Sequence, residues 1–415
     1  MKKQVYLFAK SSRASIYGIG TYIRQMIECL AGKFELSLHV VLIGADVEHF
    51  ERKEMSGYDL YSIPQFCIPL ENRNDSYQRN IYYLLRSNCN YSENNELIFI
   101  FNYSHHLPLI RFLKDRFSNS RFYFVIHYQN WCFNLNGDVA RLKPIIQTDD
   151  VSVLSSSERE VYLSFLKEKE VYQIVDRVIC LSEFTFSLLN EMYGISCDKL
   201  VRIYNGLKDE KKILSVEARN LLKKRYNFSR GEKIILFVGR LDAIKGIEIL
   251  IRSFGELLQK NKNYRLVVIG EGDFSFCLSC CGTYWNKVVF TGRLNKEQLY
   301  DFYQIADVGV IPSMHEQCSY VAIEMMMFGL PLVASKMTGL KEMVQNGKSG
   351  YTFDMEGYCE KVKNELADLI FKVLDAPLWK RNEMRRLSRS SYEERYSVEE
   401  MQKKYLDLIV LDQSS

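Results

Sequence analysis

Glu316 and Glu324 stand eight residues apart in the stretch DVGVIPSMHEQCSYVAIEMMMFGLPLVAS, and Arg240 and Lys245 stand five apart in GRLDAIKG. Two cations on a strand-to-helix loop, next to a helix N-terminus, make a site for a pyrophosphate. A carboxylate such as Glu324, set in a helix that is otherwise apolar on every face, costs several kcal/mol unless something compensates it, so it should face a polar cleft or a ligand. The backbone N–H groups of Ser319, Tyr320 and Val321 open that helix and offer a further anion site. Taken alone, Glu316 reads equally well as a solvated loop acid, and Glu324 as a helix acid paired with an arginine. His127 ends the apolar run Phe122 to Ile126 in VIHYQNW. That is where an α/β enzyme places a chemical group, although a structurally satisfied imidazole fits the same position.

These residues need strands and helices to hold them. Apolar runs predict strands at Gln4 to Ala9, Leu36 to Ile43, Leu97 to Phe101, Phe122 to Ile126, Arg177 to Leu181 and Leu200 to Ile203. A second series follows at Lys233 to Val238, Leu266 to Ile269, Val288 to Phe290, Asp307 to Ile311 and Leu332 to Ala334. Helical spacing between them implies mostly parallel sheets, an α/β fold. The segment Ser319 to Phe328 predicts a helix buried all round. Ser11 to Gly20 reads as a polar loop ending in Gly18-Ile19-Gly20, whose glycines let a backbone approach a phosphate. The string GIGTYI lacks a third glycine, which gives a nicotinamide dehydrogenase little support. Tyr128 to Thr148 reads as a long loop of the substrate-binding kind.

The chain of 415 residues is too long for one ordinary core and suits two domains. Its net charge of +4 is weak for a chain this long and argues neither for nucleic acid, which is not expected as a partner, nor against a loose association with an anionic membrane surface. No apolar run reaches the length of a membrane span or a signal-peptide core, so a cytoplasmic location is expected, with the inner face of the membrane as its peripheral variant. Eleven cysteines lie scattered and read as reduced core residues. Cys277, Cys280 and Cys281 form half of a zinc pattern without a second half, and no metal site is expected.

Glu316, seven intervening residues, Glu324 and then Gly329, Pro331, Val333 and Ala334 resemble the signature of the retaining GT-B glycosyltransferases of family GT4. GRLDAIKG closely matches the Gly-Arg-Leu-x-x-x-Lys-Gly element of the same family. The resemblance implies a GT-B fold, with two Rossmann-like domains facing across a cleft. Residues 1–206 would be the acceptor-side domain, with a helix over about 397–415 packing back on it, and 230–396 the nucleotide-sugar domain. It further implies that Glu316 contacts donor-sugar hydroxyls, that Glu324 holds the ribose, and that Arg240 and Lys245 contact the diphosphate beside Gly239. His127 would lie near the donor sugar. Gly18 and Gly20 would face the diphosphate, and Gly270, Gly272, Arg293 and Leu294 would border the base. Gln317, Cys318 and Ser319, followed by Tyr320, stand where Gly-Phe-Gly is common, which bears on the sugar's identity.

The implied reaction moves a sugar from a nucleotide-diphosphate sugar, as co-substrate, to an acceptor hydroxyl with retention at C1, without a metal or other cofactor. The acceptor would be a cell-envelope saccharide or lipid-linked glycan, with a peptide or protein as a further option. A non-catalytic sugar-nucleotide-binding protein is the alternative.

Overall fold

Short apolar runs closed by glycine or polar residues become parallel strands here, buried because helices cover both faces of each sheet. The computed structural model describes residues 3–11, 18–65, 74–88, 96–212, 214–355 and 360–411; the expected loop from Ser11 to Gly20 therefore lies outside it over residues 12–17. The chain gathers into two compact units, Met1–Gly206 with Val398–Ser415, and Leu207–Ser397.

Unit 1 runs β1 (Lys3–Lys10), α1 (Gly18–Leu30), β2 (Leu36–Ala45), β3 (Glu51–Met55), β4 (Tyr58–Pro64), α2 (Asn74–Asn88), β5 (Leu97–Phe101) and α3 (Leu107–Arg116). It continues with β6 (Arg121–Ile126), α4 (Trp131–Leu135), α5 (Val139–Ile146), α6 (Ser156–Ile174), β7 (Arg177–Cys180), α7 (Glu183–Glu191) and β8 (Leu200–Arg202). The strand order is β3-β4-β2-β1-β5-β6-β7-β8, parallel except for the β3–β4 hairpin. Chain order runs outward in opposite directions from β1 and β5, so the sheet's topological switch point lies between them, and ligands of open α/β sheets bind at such points. Phe8 and Phe101 stack across that pair at 4.2 Å between ring centroids.

Two local expectations change. Gly18 and Gly20 belong to the first turn of α1, whose buried stripe of Ile19, Tyr22, Ile23, Met26 and Leu30 runs back through them. The expected loop from Tyr128 to Thr148 contains α4 and α5. Asn136 takes a left-handed conformation to end α4, and Asp138 caps α5 by accepting from the N–H groups of Ala140 and Arg141. The segment is fixed from beneath by Glu168 of α6, a carboxyl only 2% exposed that accepts from Asn130 N at 2.7 Å and Tyr193 OH at 2.8 Å. Burial raises its pKa to about 7 against these hydrogen bonds.

Unit 2 runs α8 (Val216–Arg225), β9 (Lys233–Val238), α9 (Ile247–Lys260), β10 (Tyr264–Ile269), α10 (Phe274–Cys281), β11 (Val288–Gly292) and α11 (Lys296–Ile305). Then come β12 (Val308–Ile311), α12 (Tyr320–Met327), β13 (Leu332–Ser335), α13 (Leu340–Met343), β14 (Gly350–Phe353), α14 (Glu360–Leu374) and α15 (Leu378–Ser391). The order β11-β10-β9-β12-β13-β14 is parallel throughout and puts the switch point between β9 and β12. Helix α8, from a stretch expected between the domains, joins this unit through the buried Asp307. That carboxylate accepts from Ile234 N at 2.9 Å and pairs with Arg219 at 3.2 Å and Lys223 at 3.6 Å. Burial alone would raise its pKa, but these cations and the amide outweigh burial and hold it below the usual range.

Helix α16 (Val398–Leu406) and the wider turn Asp407–Leu411 complete unit 1. Gln402 donates to Cys29 O at 2.8 Å, Tyr22 and Tyr405 share a hydroxyl hydrogen bond, and Arg121 donates to Ile409 O at 3.0 Å.

Candidate functional site

The loops at the unit 2 switch point are locked together before any functional side chain is considered. Asp242 caps a single turn, Ala243–Lys245, by accepting from Lys245 N at 3.2 Å, and this sets Lys245 at the end of β9. Gly246 follows with φ 67°, and a Cβ there would lie 2.0 Å from Pro312 O of the β12 loop. Met314 N donates to Ile244 O at 2.8 Å across the same seam. The Lys245 ammonium thereby reaches Glu316 Oε1 at 2.5 Å, and Ser313 Oγ donates to that oxygen at 3.2 Å.

The backbone of Glu316 is clamped as well. Its N–H donates to Thr338 Oγ1 at 2.9 Å, and its carbonyl accepts from Thr338 Oγ1 at 2.6 Å and Gly339 N at 2.8 Å. Gly339 sits so close that a Cβ would fall 1.8 Å from Gln317 O. Gln317 and Cys318 are buried, and Ser319 caps α12 by accepting from Ala322 N at 3.4 Å, with Tyr320 half-buried behind it. The positive end of that helix therefore follows Glu316 by three residues. Glu324, one turn further in, is half-buried, and Oε2 accepts from the fully buried Tyr303 of α11 at 2.6 Å. The compensation expected for its charge thus includes a phenol.

The remaining sequence-derived positions of unit 2 line the same carboxyl edge. Arg240 is part-exposed and pairs with Asp242 at 3.1 Å. Gly239 N donates to Ile269 O and Gly270 N to Gly292 O, while Leu241 N reaches Glu271 O beside Gly272. Arg293 is exposed and Leu294 half-buried just after β11. Cys277 and Cys281 are buried on α10, and among the described residues no group of three or more His, Cys, Asp or Glu is placed to hold a metal ion.

Sequence reasoning passed over His315. It is 7% exposed, and neither ring nitrogen has a hydrogen-bond partner among the described residues. Burial pushes its pKa down to about 4; the carboxylate of Glu316 opposes this and the ammonium of Lys245 adds to it. A histidine between Met314 and Glu316 carries no sequence sign of burial, because its loop is buried only through contacts made far along the chain.

In unit 1, His127 follows β6. Asn102 Nδ2 donates to Phe8 O at 2.9 Å, which leaves Oδ1 to accept from His127 Nε2 at 2.9 Å. The ring is therefore protonated at Nε2 and keeps Nδ1 as an acceptor. Tyr22 meets it edge-on at 4.6 Å, and burial pushes its pKa down to about 3. Gly20 is buried and Gly18 exposed in α1.

Residues 218–393 match the family model of glycosyl transferases group 1. An uncharacterised glycosyltransferase of Methanocaldococcus jannaschii is 34% identical over 246 residues, covering 55% of this chain and 61% of that one. The chain spans about half to three fifths of the length of the curated relatives it matches. Among solved structures, a sucrose-phosphate synthase from Thermosynechococcus elongatus shares the fold with a TM-score of 0.74 at 20% identity, over 98% of each chain. The HepE protein of Anabaena, solved with UDP, gives 0.70 at 14% identity over 98% of this chain and 99% of its own. Residues 218–393 are thus similar to glycosyl transferases group 1, and the chain as a whole has a GT-B fold.

Proposed function

We propose that the protein is a retaining glycosyltransferase that moves a sugar from a nucleotide-diphosphate sugar to an acceptor hydroxyl without a metal ion. The observation that carries this reading is the Lys245–Glu316 pair, which sets a cation and a hydroxyl-accepting carboxylate side by side at the unit 2 switch point. As the bond from C1 to phosphate breaks, charge builds on the diphosphate. Lys245, Arg240 and the α12 N-terminus are fixed positive groups that stabilise it. Glu316 positions the sugar through its hydroxyls, and Glu324 holds the ribose.

Retention follows when the acceptor oxygen attacks C1 on the face the diphosphate leaves, the departing phosphate taking the acceptor's proton. His127, neutral and with Nδ1 as acceptor, then orients the sugar and takes no proton. Unit 1 supplies the acceptor side, with a glycan or lipid-linked glycan as the first acceptor class to try. No described helix is long and apolar enough to cross a membrane. Because HepE was solved with UDP, UDP-sugars are the first donors to try.

The test is sugar release by the purified protein from UDP-, GDP-, ADP- and TDP-sugars, beside Lys245→Ala and Glu316→Ala. Slow hydrolysis of one donor, lost in both variants, supports the reading. Absence of binding to every donor would sink it.

A further inference from the structure

The switch point of unit 1 carries its own cluster of basic groups, which the proposed reaction does not use. Lys10 ends β1, and continuing the register that pairs Leu7 with Ile100 brings it level with Tyr103, just past β5. His105 and His106 follow in a single turn, Ser104–His106, that leads into α3. Their rings lie 4.2 Å apart. His106 is fully buried; Nδ1 meets Gln78 Oε1 at 3.0 Å, while Nε2 is buried without a hydrogen-bond partner. His105 Nε2 is likewise buried and unpartnered. Among the described residues no carboxylate forms an ion pair with Lys10, His105 or His106.

This arrangement is costly for the protein alone. A buried ring nitrogen left without a partner forfeits its hydration with nothing in exchange. The Lys10 ammonium is half-buried, which lowers its pKa. Burial, with Lys10 beside it, pushes the pKa of His105 down to about 4, and His106 is pushed lower by burial, by His105 and by Lys10. A bound oxyanion would relieve every one of these costs: it pairs the ammonium, accepts from the imidazoles and favours their protonated forms. Helix α3, ten residues long, begins at the same place and adds its positive end. Three side-chain donors suit the three oxygens of a phosphate better than the two of a planar carboxylate.

We propose that Lys10, His105 and His106 form a binding site for a phosphate group carried by the acceptor. The inference rests on the transferase reading only in naming the acceptor as the bearer of that group.

The test uses the whole protein with ¹⁵N-labelled histidine, titrated with inorganic phosphate and separately with a phosphomonoester, octyl phosphate, against chloride at equal ionic strength. Saturable shifts of the His105 and His106 resonances are expected, with the ester bound at least as tightly as inorganic phosphate. Lys10→Met and His105→Gln should each weaken binding about tenfold or more, while an unchanged His127 resonance shows that the unit stays folded. No saturable shift, or equal binding by both variants, overturns the site. Binding of inorganic phosphate but not the ester overturns its assignment to the acceptor. Donor binding on the same samples is read separately, so failure of the transferase reading leaves the phosphate result intact.

Discussion

The Lys245 ammonium lies 2.5 Å from Glu316 Oε1 across the point where the unit 2 sheet reverses its strand order. The contact joins two loops 71 residues apart in the chain, and each is held by backbone contacts to the other. Lys245→Ala should lower donor release by about 10²–10³-fold, the usual effect of removing one fixed group that stabilises developing charge. Gly339→Ala tests the clamp instead of the charge. Its Cβ would have to displace the Glu316–Gln317 backbone, so donor affinity should fall although no side chain of the site has changed. Unaltered affinity in Gly339→Ala would show that the position of Glu316 does not depend on this clamp.

His315→Leu should trade binding for stability. Removing two unpartnered buried nitrogens relieves about 1–3 kcal/mol, part of it offset by imperfect packing of leucine. The urea midpoint should rise, and sugar-nucleotide affinity should fall if those nitrogens meet the ligand. A lower midpoint would mean that the imidazole is already satisfied.

His127 should stay neutral across the working range, with its proton on Nε2. Its pKa near 3 means that protonation sets in only below about pH 4, so it contributes no limb near pH 6.5 to the rate profile. ¹⁵N-histidine spectra at pH 7 check the tautomer directly, and a titration of this ring near 6.5 would count against the Asn102 arrangement.

Glu168 makes the stability of unit 1 depend on pH in a direction unusual for a carboxylate. Its folded pKa of about 7 lies above the ordinary glutamate value of 4.5, so the folded state binds the extra proton. The associated stability is full below about pH 4.5 and is lost as pH rises through about 7, amounting to roughly 3 kcal/mol. Urea unfolding from pH 5 to 8 should show this loss, and Glu168→Gln should flatten it. An equal slope in the variant would assign the effect elsewhere.

Much of the geometry of the unit 2 site was legible because its parts are local. A short apolar strand closed by Gly239 or by Pro312 announces a parallel strand and its carboxyl-end loop, and the types of Arg240, Lys245 and Glu316 state their charge. What escaped is what distant contacts decide. The β3–β4 hairpin is polar and mostly exposed along Glu51–Met55, so no apolar alternation marks it. Gly350–Phe353 is too brief to signal a strand until β13 pairs with it. Helices α4 and α5 are short, interrupted by Asn136 and Gly137, and carry Pro144; the buried Glu168 and the Asp138 cap hold them in place of strong propensity. The burial of His315, and of the Nε2 atoms of His105 and His106, arises only once separate strands lie side by side.

The inclusion of Val398–Leu411 in unit 1 also sets a timetable for the cell. During synthesis, the strands of unit 1 leave the ribosome first, yet the helix that meets Tyr22 and Cys29 is made only after all of unit 2. At about 5–20 residues per second, that interval is roughly 10–40 s. For that time α1 has an apolar face with nothing from its own unit to cover it, so the earlier-made unit is the later to be finished, and a nascent chain stalled within unit 2 is the form most in need of a chaperone.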